Sequence, residues 1–411
     1  FQGSANLGKA EHMALVQAAG GTLNGTTWLD RTNYYETMPS HQLELALWLE
    51  ADRMGTLLEA LNQENLDNQR DVVKNEKRWS YDNRPYGSWN EKLLGHLFPV
   101  EHPYHHPTIG SMTDLDAASL DDVKQFFATW YAPNNAVVSV AGDCDRAQVR
   151  AWADRYFGPI PANPSVPSLR DMSLPEVIGE EIRETVEDRV PLARVYLGFR
   201  APVFGDPRLD ALDLATQLLA GGKGSRLHRR LVREERIAQD VAIVTLPFVG
   251  GASVCVGWAT ARPGVDIATV EAVYLEELEK LATEPPTDDE MARAKALTEA
   301  DELGSLSRVE ERADRLSTYA TLFDDPGLIN TMLPRYLAVT AEQIRDAARA
   351  AFRADNRVVL TYIPKPPGEQ GDAEPGDAEP GDAEPGDAEP GDADESGATG
   401  AAAGTSDEEA A

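Results

Sequence analysis

Two stretches of this chain repeat the same order of features 221 residues apart. SLDDVKQFFATWYAPNNAVVSV begins at Ser119, and TAEQIRDAARAAFRADNRVVLTY begins at Thr340. Each reads as a helix N-cap, an amphipathic helix, a turn and a strand that contains two adjacent valines. In the first copy this pattern predicts a helix over residues 119–130 and a strand over Ala136–Ala141.

A second pair of stretches repeats in the same order. QENLDNQRDVVKNE, from Gln63, corresponds to TDDEMARAKALTEAD, from Thr287, and each follows an apolar helix. Repetition of several elements predicts two similar α+β domains of roughly 180 residues. The expected boundaries are a domain over 1–158, a Pro- and Ser-rich linker over 159–178, a second domain over 179–365 and a tail over 366–411.

Charge separates the tail from the rest of the chain. The net charge is −31, and the tail holds 15 acidic residues, no Lys or Arg, and four GDAEP repeats. Such a segment cannot bury enough apolar surface to fold, so we predict a disordered acidic tail. The remainder is also acidic, which argues against nucleic-acid binding. No apolar run is long enough to span a membrane, and we expect a cytoplasmic location.

The first domain reads as alternating helices and a strand pair. A helix over Lys9–Ala19 should end at the adjacent glycines, and a strand from Thr22 should turn near Asp30 and return as TNYYETMP. Cys144 and Cys255 lie in or beside β-like runs and are expected to be buried thiols. Further helices are predicted over 40–61, 64–80, 88–97 and 119–130.

Two groups of residues could carry chemistry. Gln69, Val72, Val73 and Glu76 share one face of a predicted helix, and Glu76 could be a salt-bridged structural residue or a metal ligand. A loop rich in Pro contains the second group, which we expect to pack the loop rather than to bind zinc: His102, His105 and His106.

Four blocks together resemble one known family. They are GGTLNGTTWLDRTNYYETMP, NQRDVVKNEKR, HPYHHPTIGSMTDLDAASLDDVKQFFATWYAPNNAVVSVAGD and LLAGGKGSRLHRRLVREERIAQDV. Their order and spacing resemble the insulinase/pitrilysin family of zinc metallopeptidases, closest to its processing-peptidase-like bacterial members. The resemblance spans about Phe1 to Pro364. It implies two homologous α+β domains, each a mostly antiparallel sheet with helices packed on one face.

The resemblance also implies a zinc site. In this family an H-x-x-E-H motif supplies two His ligands and a general base, and a Glu on a later helix supplies the third ligand. Glu76 matches that later Glu, and Gln69 lies where relatives often carry a supporting Glu behind the ligands. The motif itself is absent from these 411 residues. The resemblance places it just before Phe1, so we expect an N-terminally shortened form that is inactive by itself.

Substrate contacts are implied in both domains. The segment Asn24, Gly25 and Thr26 resembles the edge strand to which relatives add a substrate peptide. Arg233 and Arg236 lie where many relatives carry a substrate-binding Arg, although no Tyr follows where one is expected. We therefore expect a zinc-dependent metalloendopeptidase with a peptide substrate, able to form a homo- or heterodimer with a family member. The alternative is a non-catalytic partner subunit of a heteromeric peptidase.

Overall fold

The N-terminal half, residues 2–158, is mainly helical. The computed structural model describes residues 2–365, so the predicted disorder of the acidic tail concerns residues outside that range. The elements of this half are α1 (Glu11–Ala18), β1 (Thr22–Thr27), β2 (Thr32–Thr37), α2 (Leu43–Ala60), α3 (Gln63–Lys77), α4 (Trp89–Leu97), α5 (Met112–Ala117), α6 (Leu120–Trp130) and α7 (Arg146–Tyr156).

The C-terminal half, residues 179–365, is built around one sheet. Its strand order is β3-β7-β4-β6-β5, and every neighbouring pair is antiparallel except β3 with β7. Its elements are β3 (Glu180–Asp188), β4 (Arg194–Ala201), α8 (Pro207–Ala220), β5 (Ala238–Leu246), β6 (Ser253–Ala261), α9 (Ile267–Thr283), α10 (Asp288–Ser307), α11 (Val309–Phe323), α12 (Met332–Ala338), α13 (Ala341–Ala351) and β7 (Asn356–Pro364).

The repeated helices begin in the same way. Ser119 caps α6 and Thr340 caps α13, each by accepting a hydrogen bond from the backbone N–H three residues later. In return, the side chains of Asp122 and Gln343 accept from the backbone of their cap residues at 2.9 and 2.8 Å. These capping boxes satisfy N–H groups that a helix end otherwise leaves unpaired. The predicted helix over 119–130 is confirmed.

The predicted strand pair of the N-terminal half is also confirmed. β1 and β2 form an antiparallel ladder that runs from Thr22 opposite Thr37 to Thr27 opposite Thr32. Gly20, with φ of +79°, follows α1 in the left-handed region, where glycine is favoured, and the chain then enters β1.

Both faces of the C-terminal sheet are covered. On one face α8, α9 and α13 pack over buried residues that include Leu197, Phe199 and Tyr274, as the fold prediction requires. On the other face α4 and the loop after it, from the N-terminal half, bury Leu93 and Leu97 against the sheet. A Cβ at position 198 would lie 2.3 Å from the Leu93 side chain, so this close packing requires Gly198.

The predicted strand over Ala136–Ala141 is wrong. These residues belong to neither of the sheets found within residues 2–365, and the side chains of Val137 and Val138 are 42% and 51% exposed. A strand needs a neighbour to pair its backbone groups, and none of the described strands lies beside this segment. Cys144 follows it and is exposed, whereas Cys255, in β6, is buried as expected.

None of the helices described within residues 2–365 is both long and apolar enough to cross a bilayer.

Candidate functional site

Glu76 lies near the end of α3 with its side chain in solvent. The face it shares with Gln69 and Val72 is exposed, and Val72 is 49% exposed, so the predicted apolar face is not buried. Glu76 makes no side-chain hydrogen bond or ion pair with any residue between 2 and 365. Of the two interpretations left open by the sequence, the salt-bridged structural carboxylate therefore finds no support.

Another face of α3 is firmly anchored. Arg70 donates from Nε to Leu115 O at 2.8 Å and from Nη2 to Ala118 O at 2.6 Å. Lys74 Nζ lies 2.5 Å from Asp116 Oδ1. Because these contacts fix α3 against α5, the orientation of the exposed Glu76 face is set by the fold. Burial raises the pKa of Tyr81, and the nearby negative charge of Glu76 raises it further.

Gln69 lies on the same exposed face about two turns before Glu76. Its Oε1 accepts a hydrogen bond from Gln2 Nε2 at 2.5 Å. Gln69 thus ties α3 to the first described residues of the chain. The structure does not bring it into a shared cluster with Glu76, so a supporting role at a metal site stays a prediction.

β1 presents one edge without a neighbouring strand among the described residues. Among the described residues it pairs only with β2, and Asn24 and Gly25 are exposed. The Gly25 N–H donates to the side-chain Oδ1 of Asn24 at 2.8 Å instead of to another strand. Thr26 Oγ1 donates to Asn33 Oδ1 at 2.5 Å, which fastens this residue to β2. The strand edge is therefore ordered and accessible.

Contacts to the C-terminal half hold this strand pair in place. Asn33 Nδ2 in β2 donates to Asp314 Oδ1 of α11 at 2.6 Å. In the turn between β1 and β2, Asp30 accepts from Val249 N at 3.0 Å and from the Tyr104 hydroxyl, which itself accepts from Gly250 N at 2.8 Å. Burial raises the pKa of Asp30, and the hydrogen bonds from Tyr104 and Val249 oppose that rise.

Arg233 and Arg236 are the exposed cations before β5. Within HRRLVRE and the residues after it, Arg230 pairs with Glu235 at 2.8 Å and Arg229 lies 3.8 Å from Glu234. Arg233 and Arg236 form no ion pair with residues 2–365. Both guanidinium groups can therefore bind an external carboxylate, which is consistent with the predicted substrate contact.

Two of the three loop histidines, His102 and His105, pack the loop, whereas His106 is exposed. His102 stacks on Phe98 with ring centroids 5.0 Å apart, and its Nδ1 accepts from Tyr104 N at 3.1 Å. Burial lowers the pKa of His102. His105 Nδ1 lies 2.8 Å from Phe98 O.

Sequence reasoning missed a cluster formed by His12, Glu36 and Glu50. Candidate ligand atoms of these three residues lie within 4.8 Å of one another, and no other such group of three is found within the described range. The residues come from α1, β2 and α2, so no local spacing connects them. Their only signal in the sequence is the presence of polar residues in segments that pack against Val16 and Leu49.

Comparison with known proteins gives the family. The family model described as the peptidase M16 inactive domain matches residues 117–298. The zinc protease PqqE of Helicobacter pylori is 30% identical over 335 residues, which cover 80% of this chain and 73% of that protein. This chain belongs to the M16 peptidase family. The resemblance to insulinase and pitrilysin peptidases is thereby confirmed.

Solved structures of M16 proteins share the fold. The crystal structure of a protease from Helicobacter pylori aligns with a TM-score of 0.82 and 27% identity, over 89% of this chain and 87% of that one. A peptidase M16 inactive domain from Pseudomonas fluorescens aligns with a TM-score of 0.73 at 15% identity, covering 89% and 86%, and shows likeness of fold alone. The predicted α+β fold class is confirmed.

Among residues 2–365 of this M16 chain, no zinc site is assembled around Glu76. A catalytic zinc takes three protein ligands and keeps an open position. Within residues 2–365, Glu76 belongs to no group of three His, Cys, Asp or Glu side chains with converging ligand atoms. One exposed carboxylate cannot hold the ion by itself, so no hydrolytic step can be assigned to these residues.

Proposed function

We propose that this chain acts, in its full-length form, as a zinc-dependent metalloendopeptidase on peptides or unfolded segments. The observation that carries the proposal is Glu76, an ordered, exposed carboxylate without an ion pair among residues 2–365, at the position of the family's third zinc ligand. The names of relatives such as the zinc protease PqqE support it. In this proposal the two His ligands and the general base belong to an H-x-x-E-H motif outside these 411 residues.

The second part of the proposal assigns the substrate to the β1 edge. A peptide in extended conformation would pair with the exposed backbone of Asn24, Gly25 and Thr26 as an added strand. Support comes from the free edge and from the small Gly25, whose backbone a peptide can approach closely. Arg233 and Arg236 would bind a carboxylate of the same peptide. Because the pairing uses backbone groups, the sequence preference should be broad.

Measurements of peptide hydrolysis test the zinc site. We expect the chain as given to hydrolyse no peptide, and a form extended by roughly 60–70 residues that contain H-x-x-E-H to do so. In the extended form, Glu76→Gln should lower kcat/KM by at least about a hundredfold, because a ligand and its charge are lost. Glu64→Gln, an exposed Glu earlier on α3, is the matched control and should retain activity. Equal activity of both variants would reject Glu76 as a ligand.

Peptide binding tests the strand edge. An extended peptide that is N-methylated at alternate residues cannot donate its backbone hydrogen bonds to β1, and should bind at least about tenfold more weakly than the unmodified peptide. Methylation at the intervening residues, whose N–H groups point away, is the control. If both methylated peptides bind like the parent, strand addition at β1 is excluded.

The alternative is a non-catalytic partner subunit. It is supported by the absence of H-x-x-E-H from the chain and by the match to a model described as inactive. Co-purification distinguishes the two proposals: a partner subunit should retain a second, zinc-bearing family member, whereas the peptidase should gain a zinc ion that depends on Glu76 only when its own chain is extended.

A further inference from the structure

His12, Glu36 and Glu50 meet where three elements of the N-terminal half come together. His12 Nε2 on α1 lies 2.6 Å from Glu36 Oε1 on β2 and 3.8 Å from Glu50 Oε1 on α2. The His12 and Glu36 side chains are 7% and 5% exposed. Buried charged groups at such separations must be paired, hydrogen-bonded or bound to a metal.

Hydrogen bonding accounts for only one oxygen of each carboxylate. Glu36 Oε1 faces His12, and Glu50 Oε2 is bound by Arg53. The other two oxygens, Glu36 Oε2 and Glu50 Oε1, are buried and have no hydrogen-bond partner among the described residues. An unpaired buried carboxylate oxygen is strongly unfavourable. A cation that several ligands share would satisfy these oxygens without the fixed direction that a hydrogen-bond donor needs.

The surroundings suit an ion with both nitrogen and oxygen ligands. In a tetrahedral zinc site the ligand atoms lie roughly 3.3 Å apart, so the present separations of 2.6 and 3.8 Å would each change by less than about 1 Å. Arg53 remains on the far oxygen of Glu50 and lies 3.6 Å over the Tyr34 ring, which holds Glu50 in place. His12 also lines a cavity of about 210 Å³ that offers a route for an ion.

We propose that His12, Glu36 and Glu50 bind a divalent transition-metal ion of the zinc class, at a site separate from Glu76. One imidazole and two carboxylates favour Zn²⁺ over Mg²⁺, which prefers an all-oxygen octahedral shell. The ion would take the place of the proton in the short contact between His12 and Glu36. It would tie α1 and α2 to β2, the strand that supports β1.

Zinc titration of the full 411-residue chain without a polyhistidine tag tests the proposal. We expect one tight Zn²⁺ site by calorimetry and no comparable Mg²⁺ binding. His12→Gln and Glu36→Gln should each weaken this binding at least about tenfold. Both variants keep the acidic tail, so weak binding of Zn²⁺ to the tail cancels in the comparison.

Two further variants separate this site from other sources of zinc binding. Glu59→Gln removes an exposed Glu from α2, the helix of Glu50, and should bind zinc like the parent chain. Glu76→Gln should also bind like the parent. If Glu76→Gln loses the zinc and His12→Gln keeps it, the ion sits at Glu76 and the proposal is overturned. The proposal does not depend on peptidase activity, so failure of one leaves the other standing.

A measurement on the unmodified chain guards against variants that do not fold. Zinc at 100 times its Kd should raise the Tm by about 3 °C, because it binds only the folded state, and Mg²⁺ should not. Co²⁺ in the same site should give the visible absorption bands of four-coordinate nitrogen and oxygen ligation. Absence of both the Tm rise and the bands would establish that the cluster is an ion-pair network only.

Discussion

The two copies of the repeated unit, residues 119–141 and 340–364, begin alike and end differently. Their helices start and stop at positions that differ by the same offset, and each is closed by a capping box. The Asn after each helix donates from Nδ2 to a carbonyl five residues earlier, at 2.9 Å for Asn135 and 2.8 Å for Asn356. Beyond that point, one copy is a central strand and the other is an exposed segment without a ladder.

Neighbours account for this difference. β7 lies between β3 and β4, so Val358 and Val359 are 0% and 1% exposed, and residues 357–362 are paired with a strand on both sides. The matching Val137 and Val138 have no strand beside them among the described residues and lie in solvent. The comparison teaches that caps, helix and turn are properties of the local sequence, whereas the strand depends on what it can pair with.

Replacing the Asn that follows the helix in each copy should give the largest difference in stability between the two matching variants. Asn356→Ala leaves the buried carbonyls of Arg200 and Ala351 without their donor and should lower the free energy of unfolding by about 3 kcal/mol. Asn135→Ala removes one exposed hydrogen bond and should lower it by less than about 1 kcal/mol. Urea unfolding of both variants measures the difference. Similar losses would mean that the two turns carry equal weight.

Truncating the shared Val residues should give the next largest difference. Val358→Ala creates a cavity in a sheet strand and should lower the free energy of unfolding by about 2 kcal/mol. Val137→Ala, at the matching exposed position, should change it by less than about 0.5 kcal/mol. A loss of more than 1 kcal/mol in the second variant, measured by calorimetry, would indicate that the 136–141 segment is packed in solution.

The helices α3 and α10 occupy matching positions in the two halves. Acid should destabilise the contacts of α10 more than those of α3. Glu290 at the start of α10 accepts two hydrogen bonds from Arg226, both at 2.7 Å, and this contact lowers its pKa to about 2, whereas the matching residue of α3 is the neutral Asn65. Because the folded pKa is depressed, the stabilisation is complete above the ordinary pKa of 4.5 and is lost as the pH falls towards 2.

Glu290→Gln should therefore lower the free energy of unfolding at pH 7 by about 1.5 kcal/mol and flatten its dependence on pH between 4.5 and 2. Asn65→Asp is the converse control: it introduces an acid at the matching position, and should add a weak dependence at most. Measuring the Tm of both variants and the parent chain across this pH range tests the prediction. An unchanged slope in Glu290→Gln would assign the acid sensitivity to other carboxylates.

Replacing the N-cap residues should give the smallest difference in stability between the two copies, because both copies have the same capping box. Ser119→Ala and Thr340→Ala each remove the side-chain half of a capping box and should lower the free energy of unfolding by about 1 kcal/mol. Replacement by Gly should cost a few tenths of that. Thermal unfolding compares the pair, and a twofold or larger gap between them would show that tertiary contacts already affect the helix starts.

Local signals in the sequence predicted much of the fold. The caps of α6 and α13, the glycines after α1 and the alternation in β1 and β2 each act within a few residues, so the sequence displays them directly. The strand over 136–141 was predicted wrongly because its apolar residues say nothing about a partner strand. The contact of α4 with Gly198 was out of reach, since about 100 residues separate the two.

The candidate site residues also fall into those that local sequence indicates and those that only tertiary packing brings together. Glu76 was found because the family carries a motif around it, and its exposure on α3 agrees with that assignment without testing it. His12, Glu36 and Glu50 carry no motif and meet only when α1, β2 and α2 pack together. Burial of the unpaired oxygens of Glu36 and Glu50 is a tertiary property, so no spacing rule could have indicated it.

The position of α4 on the C-terminal sheet also determines whether the two halves can fold independently. The segment between α7 and β3 joins the halves by a single covalent connection, but Leu93, Leu97 and Tyr104 lie deep against strands that come later in the chain. If a protease cut this connection, noncovalent contacts would still hold the two polypeptides together. Either piece alone would expose a large apolar surface that is buried between the halves. We therefore expect the two halves to unfold together, although a linker separates them in the sequence.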